Sequence, residues 1–62
     1  MKKNYYYDVF WYEDDKHENY SSQGFNKLKD AINFYNRFKN DFYGFEITKK
    51  KISNDEVIKV IL

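Results

Sequence analysis

The sequence predicts a small α+β domain in which one helix packs on one face of an antiparallel or mixed sheet. One stretch of helical periodicity, residues 25–40, lies near the middle of the chain. Two segments rich in aromatic and β-branched residues precede it and two follow it, which gives the order β-β-α-β-β. At 62 residues the chain is expected to form one domain, residues 1–62, with only a small core.

The predicted helix presents one apolar arc at 100° per residue. The residues on this arc are Leu28, Ala31, Ile32, Tyr35 and Phe38. Asn26 is a candidate N-cap, and Gly44 follows soon after the expected end. Phe34 lies on the shoulder of the arc, where it either widens the core face or contacts a partner.

The first predicted strand covers residues 4–13, and its two faces differ. Asp8 marks the even-numbered face as the one exposed to water, so we expect Val9 and Trp11 to face the helix. Three large rings then occupy the face away from the helix, namely Tyr6, Phe10 and Tyr12. That face is unusually aromatic for a solvated surface.

Three more strands complete the predicted sheet. A polar turn at residues 13–16 leads into a short strand over residues 17–21, and residues 42–51 alternate in polarity as a strand does. Residues 56–62 are so apolar that we expect this last strand either to lie inside the sheet or to meet a partner. The predicted core consists of Val9, Trp11, Leu28, Ile32, Tyr35, Phe45, Ile47 and Ile58.

Composition narrows the classes of function. The net charge of +1 is that of neither a strongly basic nucleic-acid binder nor an acidic mimic of DNA. The chain has no cysteine, no apolar run of membrane-spanning length, and no signal-peptide core after residues 1–3. These features predict a cytoplasmic protein.

No motif in the sequence points to catalysis, and we expect a protein that is not an enzyme and uses no cofactor. The acidic cluster of Glu13, Asp14, Asp15, His17 and Glu18 contains possible metal ligands, but its spacing matches no metal-binding loop, which favours a solvated turn. A serine–histidine pair between His17 and Ser21 or Ser22 is formally available. A chain of this size has little room for the pocket such a pair would need.

Two hypotheses of function remain from the residues themselves. The aromatic face of the sheet is suited to binding a protein, as a second copy of the chain in a homodimer or as another target. Alternatively, the same rings could stack bases of single-stranded nucleic acid while lysines such as Lys49 and Lys51 contact phosphates. Adjacent lysines on a strand point to alternating faces, however, so they form no single basic stripe.

The helix segment FNKLKDAINFYNRFK, followed by FYGFEI, resembles small proteins encoded by phages or mobile elements of AT-rich bacteria. The resemblance implies a non-enzymatic protein that inhibits or modulates a host protein in the host cytoplasm, such as a defence or nucleic-acid-processing factor. Combining this with the patterns above, we expect the partner to contact Tyr6, Phe10, Tyr12, Phe34, Lys49 and Lys51.

Overall fold

The computed structural model describes residues 4–62 and confirms the predicted class, a four-stranded sheet with one helix packed on it. Its elements in chain order are β1 (Tyr5–Tyr12), β2 (Tyr20–Phe25), α1 (Leu28–Phe38), β3 (Tyr43–Lys51) and β4 (Val57–Val60). The strand order is β2-β1-β3-β4, and all three pairings are antiparallel. The absence of a signal-peptide core was predicted partly from residues 1–3, which lie outside the described part of the chain.

Strand β1 is central because it pairs with β2 on one side and with β3 on the other. Its alternation divides the sheet as predicted. Val9 has no exposed surface and Trp11 is 8% exposed, and both belong to the core beneath α1. The intervening residues of β1 lie on the opposite face, which we call the open face because no described element covers it.

The core is small and largely aromatic. Its buried members are Val9, Trp11, Ala31 and Ile47, and the residues packed around them are Tyr7, Phe25, Phe34, Tyr35, Phe42, Phe45 and Ile61. The Trp11 ring contacts several of these, with centroid distances of 5.1 Å to Phe34 and 5.7 Å to Phe42. Ring stacking around Trp11 therefore supplies much of the packing that a chain of this length cannot obtain from aliphatic residues alone.

The start of the helix differs from the prediction. Helix α1 begins at Leu28 with Lys27 in the N-cap position, and no side chain caps it, so Asn26 is not the N-cap. Phe25 is instead the last residue of β2, where it pairs with Tyr7. The helical pattern predicted a start at residue 25, but the pairing of Phe25 with Tyr7 keeps that residue in β2, so the helix starts later.

Two residues predicted to lie in the core are exposed, which makes that part of the core prediction wrong. Ile32 is 37% exposed and Ile58 is 48% exposed. Leu28 is half-buried but does not pack against the buried cluster. The reason is the rotation of the helix, which brings the small side chain of Ala31 against the sheet and turns Ile32 outwards.

The second strand also starts later than predicted. Residues 13–19 form a wide loop, and β2 begins at Tyr20 rather than at His17. His17 adopts a left-handed backbone conformation, with φ of 59°. The carboxylate of Asp14 accepts hydrogen bonds from the backbone N–H of Glu18 at 2.9 Å and from the side-chain amide of Asn19 at 3.0 Å. The loop is therefore held by its own acidic residue.

Candidate binding face

The open face carries a group of rings at the end of the sheet nearest the loop of residues 13–19. Phe10 lies 5.0 Å from Tyr12, edge to face, and 5.5 Å from Tyr20, nearly stacked. Tyr12 is paired with Tyr20 in β2 and with Tyr43 in β3, and paired residues share a face. We call Phe10, Tyr12, Tyr20 and Tyr43 the aromatic cluster.

Two members of the aromatic cluster are strongly exposed. Tyr20 is 68% exposed and Tyr43 is 46% exposed, whereas Phe10 and Tyr12 are half-buried between them. The sequence analysis did not predict Tyr20 or Tyr43 as site residues. Placing β2 at residues 17–21 hid the fact that Tyr20 lies directly opposite Tyr12.

Tyr12 packs against both His17 and Gly44. Its ring stacks on the imidazole of His17, with centroids 4.1 Å apart and planes inclined by 2°. Gly44 lies beside the two rings, where an added Cβ atom would be 2.9 Å from the Tyr12 ring and 3.6 Å from the His17 ring. Gly44 has φ of +59° and belongs to a β-bulge in which Trp11 faces two residues of β3. The bulge therefore makes room for the Tyr12 ring.

The other end of the open face is polar. The hydroxyl of Tyr6 donates a hydrogen bond to Asp55 at 2.9 Å, and Lys50 forms an ion pair with Asp8 at 3.2 Å. Burial raises the pKa of Tyr6 to about 12, and the hydrogen bond to Asp55 acts in the same direction. Thr48 lies opposite Asp8 in the ladder and is 5% exposed. These groups satisfy one another.

The structure separates the six predicted partner-binding residues. Three of them, Tyr6, Phe10 and Tyr12, lie together on the open face as predicted. The remaining three lie on or under the helix-bearing side, namely Phe34, Lys49 and Lys51. No single partner surface of the sheet can include both groups.

The residues of the second group already have contacts within the protein. Phe34 packs between Phe25, at 5.4 Å, and Phe38, at 4.7 Å, so it widens the core. The ammonium group of Lys49 lies 4.0 Å from the centroid of the Tyr5 ring. Lys51 forms an ion pair with Glu56 at 3.2 Å.

In the acidic loop, two of the candidate metal ligands, Asp14 and Glu13, accept hydrogen bonds from neighbouring residues. Hydrogen bonds from Glu18 and Asn19 lower the pKa of Asp14, the backbone N–H of Glu18 being the largest cause. Ser21 donates a hydrogen bond to Glu13 at 2.6 Å and does not pair with His17. Within residues 4–62, no three histidine, cysteine or acidic side chains form a group able to hold a metal ion.

A second apolar surface lies on the helix-bearing side, beside the helix. A groove of about 190 Å³ runs between α1 and the end of the chain. It is lined by Ile32, Tyr35, Asn36, Ile47, Ile61 and Leu62. The sequence analysis missed this groove because it placed Ile32 and Ile58 in the core.

Comparisons with protein-family models, curated proteins and solved structures find no match for the chain. In the described part of the chain, the helix is too short and too polar to cross a membrane.

Proposed function

We propose that this protein is a non-enzymatic binding module that inhibits or modulates a host protein by means of its aromatic cluster. The observation that carries the proposal is the exposure of Tyr20 and Tyr43 on either side of Phe10 and Tyr12. Tyrosine is enriched among residues that dominate binding energy, because its large, rigid ring loses little entropy when it is buried. A group of such rings on an uncovered face has the composition of an interface core.

The half-buried members pre-organise the exposed ones. Phe10 stacks against Tyr20, and Tyr12 stacks on His17 and packs against Gly44. Side chains that are already fixed lose less conformational freedom when a partner covers them, which increases affinity for a given contact area. This arrangement favours a rigid docking surface over a loop that orders on binding.

The charges on the open face favour a protein target over nucleic acid. The only lysine that β3 places on this face, Lys50, is neutralised by Asp8, and Glu46 lies opposite Phe10. The two lysines expected to contact phosphates lie on the other face. Rings without neighbouring free cations can stack bases, but they lack the backbone contacts that supply most of the affinity for nucleic acid.

The target class follows from the resemblance to small phage and mobile-element proteins, which implies a host defence or nucleic-acid-processing factor. The first experiment is affinity capture from nuclease-treated host lysate, followed by titration of the captured protein, once purified, with the wild-type chain. We expect the double variant Tyr20→Ala with Tyr43→Ala to bind it at least about 30-fold more weakly, since such anchors commonly cost 1–2 kcal/mol or more each.

The matched control is the double variant Lys49→Ala with Lys51→Ala on the opposite face, which should bind like the wild type. A labelled single-stranded oligothymidine is titrated in parallel at low and high salt. Tight oligonucleotide binding that falls steeply with salt and needs the two lysines would replace the proposal with the nucleic-acid alternative. Unchanged binding by the tyrosine variant would reject the aromatic cluster as the site.

A further inference from the structure

Strand β4 is an apolar strand at an unprotected edge of the sheet. It pairs only with β3, so its other side has no strand beside it in the described structure. Val57, Ile58 and Val60 are 49%, 48% and 63% exposed, and Leu62 just beyond is 48% exposed. Exposed apolar edges promote pairing with another chain, and proteins usually blunt them with charges or cover them.

The opposite edge of the sheet is built differently. Strand β2 presents Ser22, Gln23 and Gly24 along its length, and these polar or small residues are suited to water. On β4 the protective features are Lys59 and a bulge, in which Ile58 is the extra residue between the pairs Lys49–Lys59 and Lys50–Val57. These two features limit the length of regular pairing but leave the aliphatic side chains exposed.

The helix does not protect β4 either. Helix α1 packs over β1 and β2, and the groove beside it leaves Ile32 and Leu62 open on the helix-bearing side. What we call the β4 edge surface comprises Ile32 and Leu62 on the helix-bearing side, Val57 and Val60 on the open face, and the bulged residue Ile58. This surface is distinct from the aromatic cluster, which is formed by β1, β2 and the start of β3.

We propose that the β4 edge surface binds a second copy of this chain, through antiparallel pairing of β4 with its twofold-related β4. Charge complementarity selects this occupant and this direction. Asp55 and Glu56 precede the strand, and Lys59 lies in its second half. Asp55 already accepts a hydrogen bond from Tyr6 and Glu56 pairs with Lys51, but the Glu56 side chain is still 61% exposed and open to a second cation. In an antiparallel pair the acidic start of each strand lies beside the basic half of the other, whereas a parallel pair would align like charges.

The twofold arrangement also closes the edge. Each copy uses its aliphatic β4 edge, and the two β2 edges that remain on the outside present Ser22, Gln23 and Gly24 beyond the exposed Tyr20. The product is an eight-stranded sheet with both helices on the same face. Such an isologous interface ends at two copies rather than growing into a filament.

The exposed area sets the strength of the dimer. Fully burying a Val, Ile or Leu side chain removes on the order of 60–120 Å² of apolar area, and the five residues of the surface are about half exposed. Their burial therefore removes about 150–300 Å² per copy, which with the accompanying polar area falls below the standard of about 800 Å² per partner. The dimer is consequently weak and forms only at high protein concentration.

The test is sedimentation velocity of the purified chain over a series from about 10 µM to about 1 mM. The wild type should shift from monomer to dimer and go no further. Val60→Asp places a charge on the most exposed side chain of β4 and should remain monomeric throughout, whereas Ser22→Asp on the β2 edge should dimerise like the wild type. Circular dichroism establishes that both variants are folded.

Charge exchange supplies an independent variant set. Glu56→Lys and Lys59→Glu should each weaken the dimer, and the two together should restore it. A wild type that stays monomeric at the highest concentration, a Val60→Asp variant that dimerises normally, or assembly beyond the dimer would each overturn the proposal. The tyrosine double variant should still dimerise, so this result is independent of target binding by the aromatic cluster.

Discussion

The two halves of the helix-bearing face of the sheet differ in what covers them. Over β1 and β2, helix α1 excludes water, and Val9 and Ala31 have no exposed surface. Over β4 no helix or strand of residues 4–62 covers the sheet, and Ile58 and Leu62 are about half exposed. A helix is about 10 Å wide and strands are about 4.8 Å apart, so one helix covers roughly two strands.

This difference teaches that the chain contains more apolar residues than its single helix can cover. In a folded protein of this size the surplus must lie on a surface. The sequence concentrates the surplus in two places, the aromatic cluster and the β4 edge surface. A surplus concentrated in patches, rather than scattered singly, is typical of interfaces.

The largest expected effect comes from comparing a buried isoleucine with one that borders the groove. Ile47 of β3 is 1% exposed in the core, so Ile47→Ala should lower the free energy of unfolding by about 2–5 kcal/mol. Ile32 borders the open groove and is 37% exposed, so Ile32→Ala should cost about 1 kcal/mol. Urea unfolding at low protein concentration measures both values.

Low concentration matters here because self-association would stabilise the wild type and mask the comparison. Equal losses for the two isoleucines would mean that the halves are packed equally well. That outcome would contradict the division of the face described above.

A second comparison uses the two glycines of the sheet, and its effect is intermediate. Gly44→Ala places a side chain at φ of +59° and a Cβ atom 2.9 Å from the Tyr12 ring, so we expect a loss of about 1–2 kcal/mol or more. Gly24→Ala is the matched control, because its Cβ would meet the Tyr6 ring at an ordinary 3.4 Å. Its effect should stay within about 0.5 kcal/mol.

Thermal melts of both glycine variants provide the measurement. If the Gly44 variant melts with the wild type, the bulge and the Tyr12 ring can adjust, and the aromatic cluster is less rigid than its contacts indicate. If the Gly24 variant alone is destabilised, then the contact of β2 with the Tyr6 ring is less tolerant than its 3.4 Å separation indicates.

The smallest effect concerns Tyr6, whose hydroxyl joins β1 to Asp55 in the turn before β4. Its pKa is raised from 10.0 to about 12, so the neutral form is favoured in the folded state. The stability contributed by this group is therefore fully present below pH 10.0 and is lost as the pH rises through about 12. Tyr6→Phe lacks the titrating group and should not show this loss.

The measurement is urea unfolding of the wild type and the Tyr6→Phe variant from about pH 8 to about pH 12, with lysine titration common to both. The stability difference between the two proteins should shrink across the alkaline window. Absorbance of the phenolate gives a direct check, because the wild type should contain a component that ionises near pH 12 and that Tyr6→Phe lacks. A constant difference across the window would contradict the assigned hydrogen bond and burial.

Much of the fold could be predicted from the sequence because its strands alternate clearly. The polarity pattern of β1 assigned Val9 and Trp11 to the core and Phe10 to the open face, and the structure agrees. The rotation of the helix about its own axis was harder to predict. The helical pattern defines an apolar arc, but it does not determine which residues of that arc face the sheet. Ala31 does so because its small side chain allows close approach, and Ile32 consequently turns outwards.

The candidate site was only partly predictable for a related reason. Tyr20 and Tyr43 join the aromatic cluster through cross-strand pairing, which depends on where each strand starts. The start of β2 is set by the hydrogen bonds of Asp14 in the preceding loop, and local propensity did not reveal them. Register is a property of two segments, so a pattern within one segment cannot fix it.

The position of Trp11 makes its fluorescence a probe of whether the core is intact. It is the single tryptophan, it is 8% exposed among aromatic neighbours, and its indole N–H donates to no group in the described structure. Its fluorescence should therefore be blue-shifted in the folded chain and shift to the red only when the core opens. Ligands that dock on the open face lie across the sheet from the indole and should leave its emission wavelength unchanged. One emission spectrum can thus separate variants that have lost a contact from those that have lost the fold.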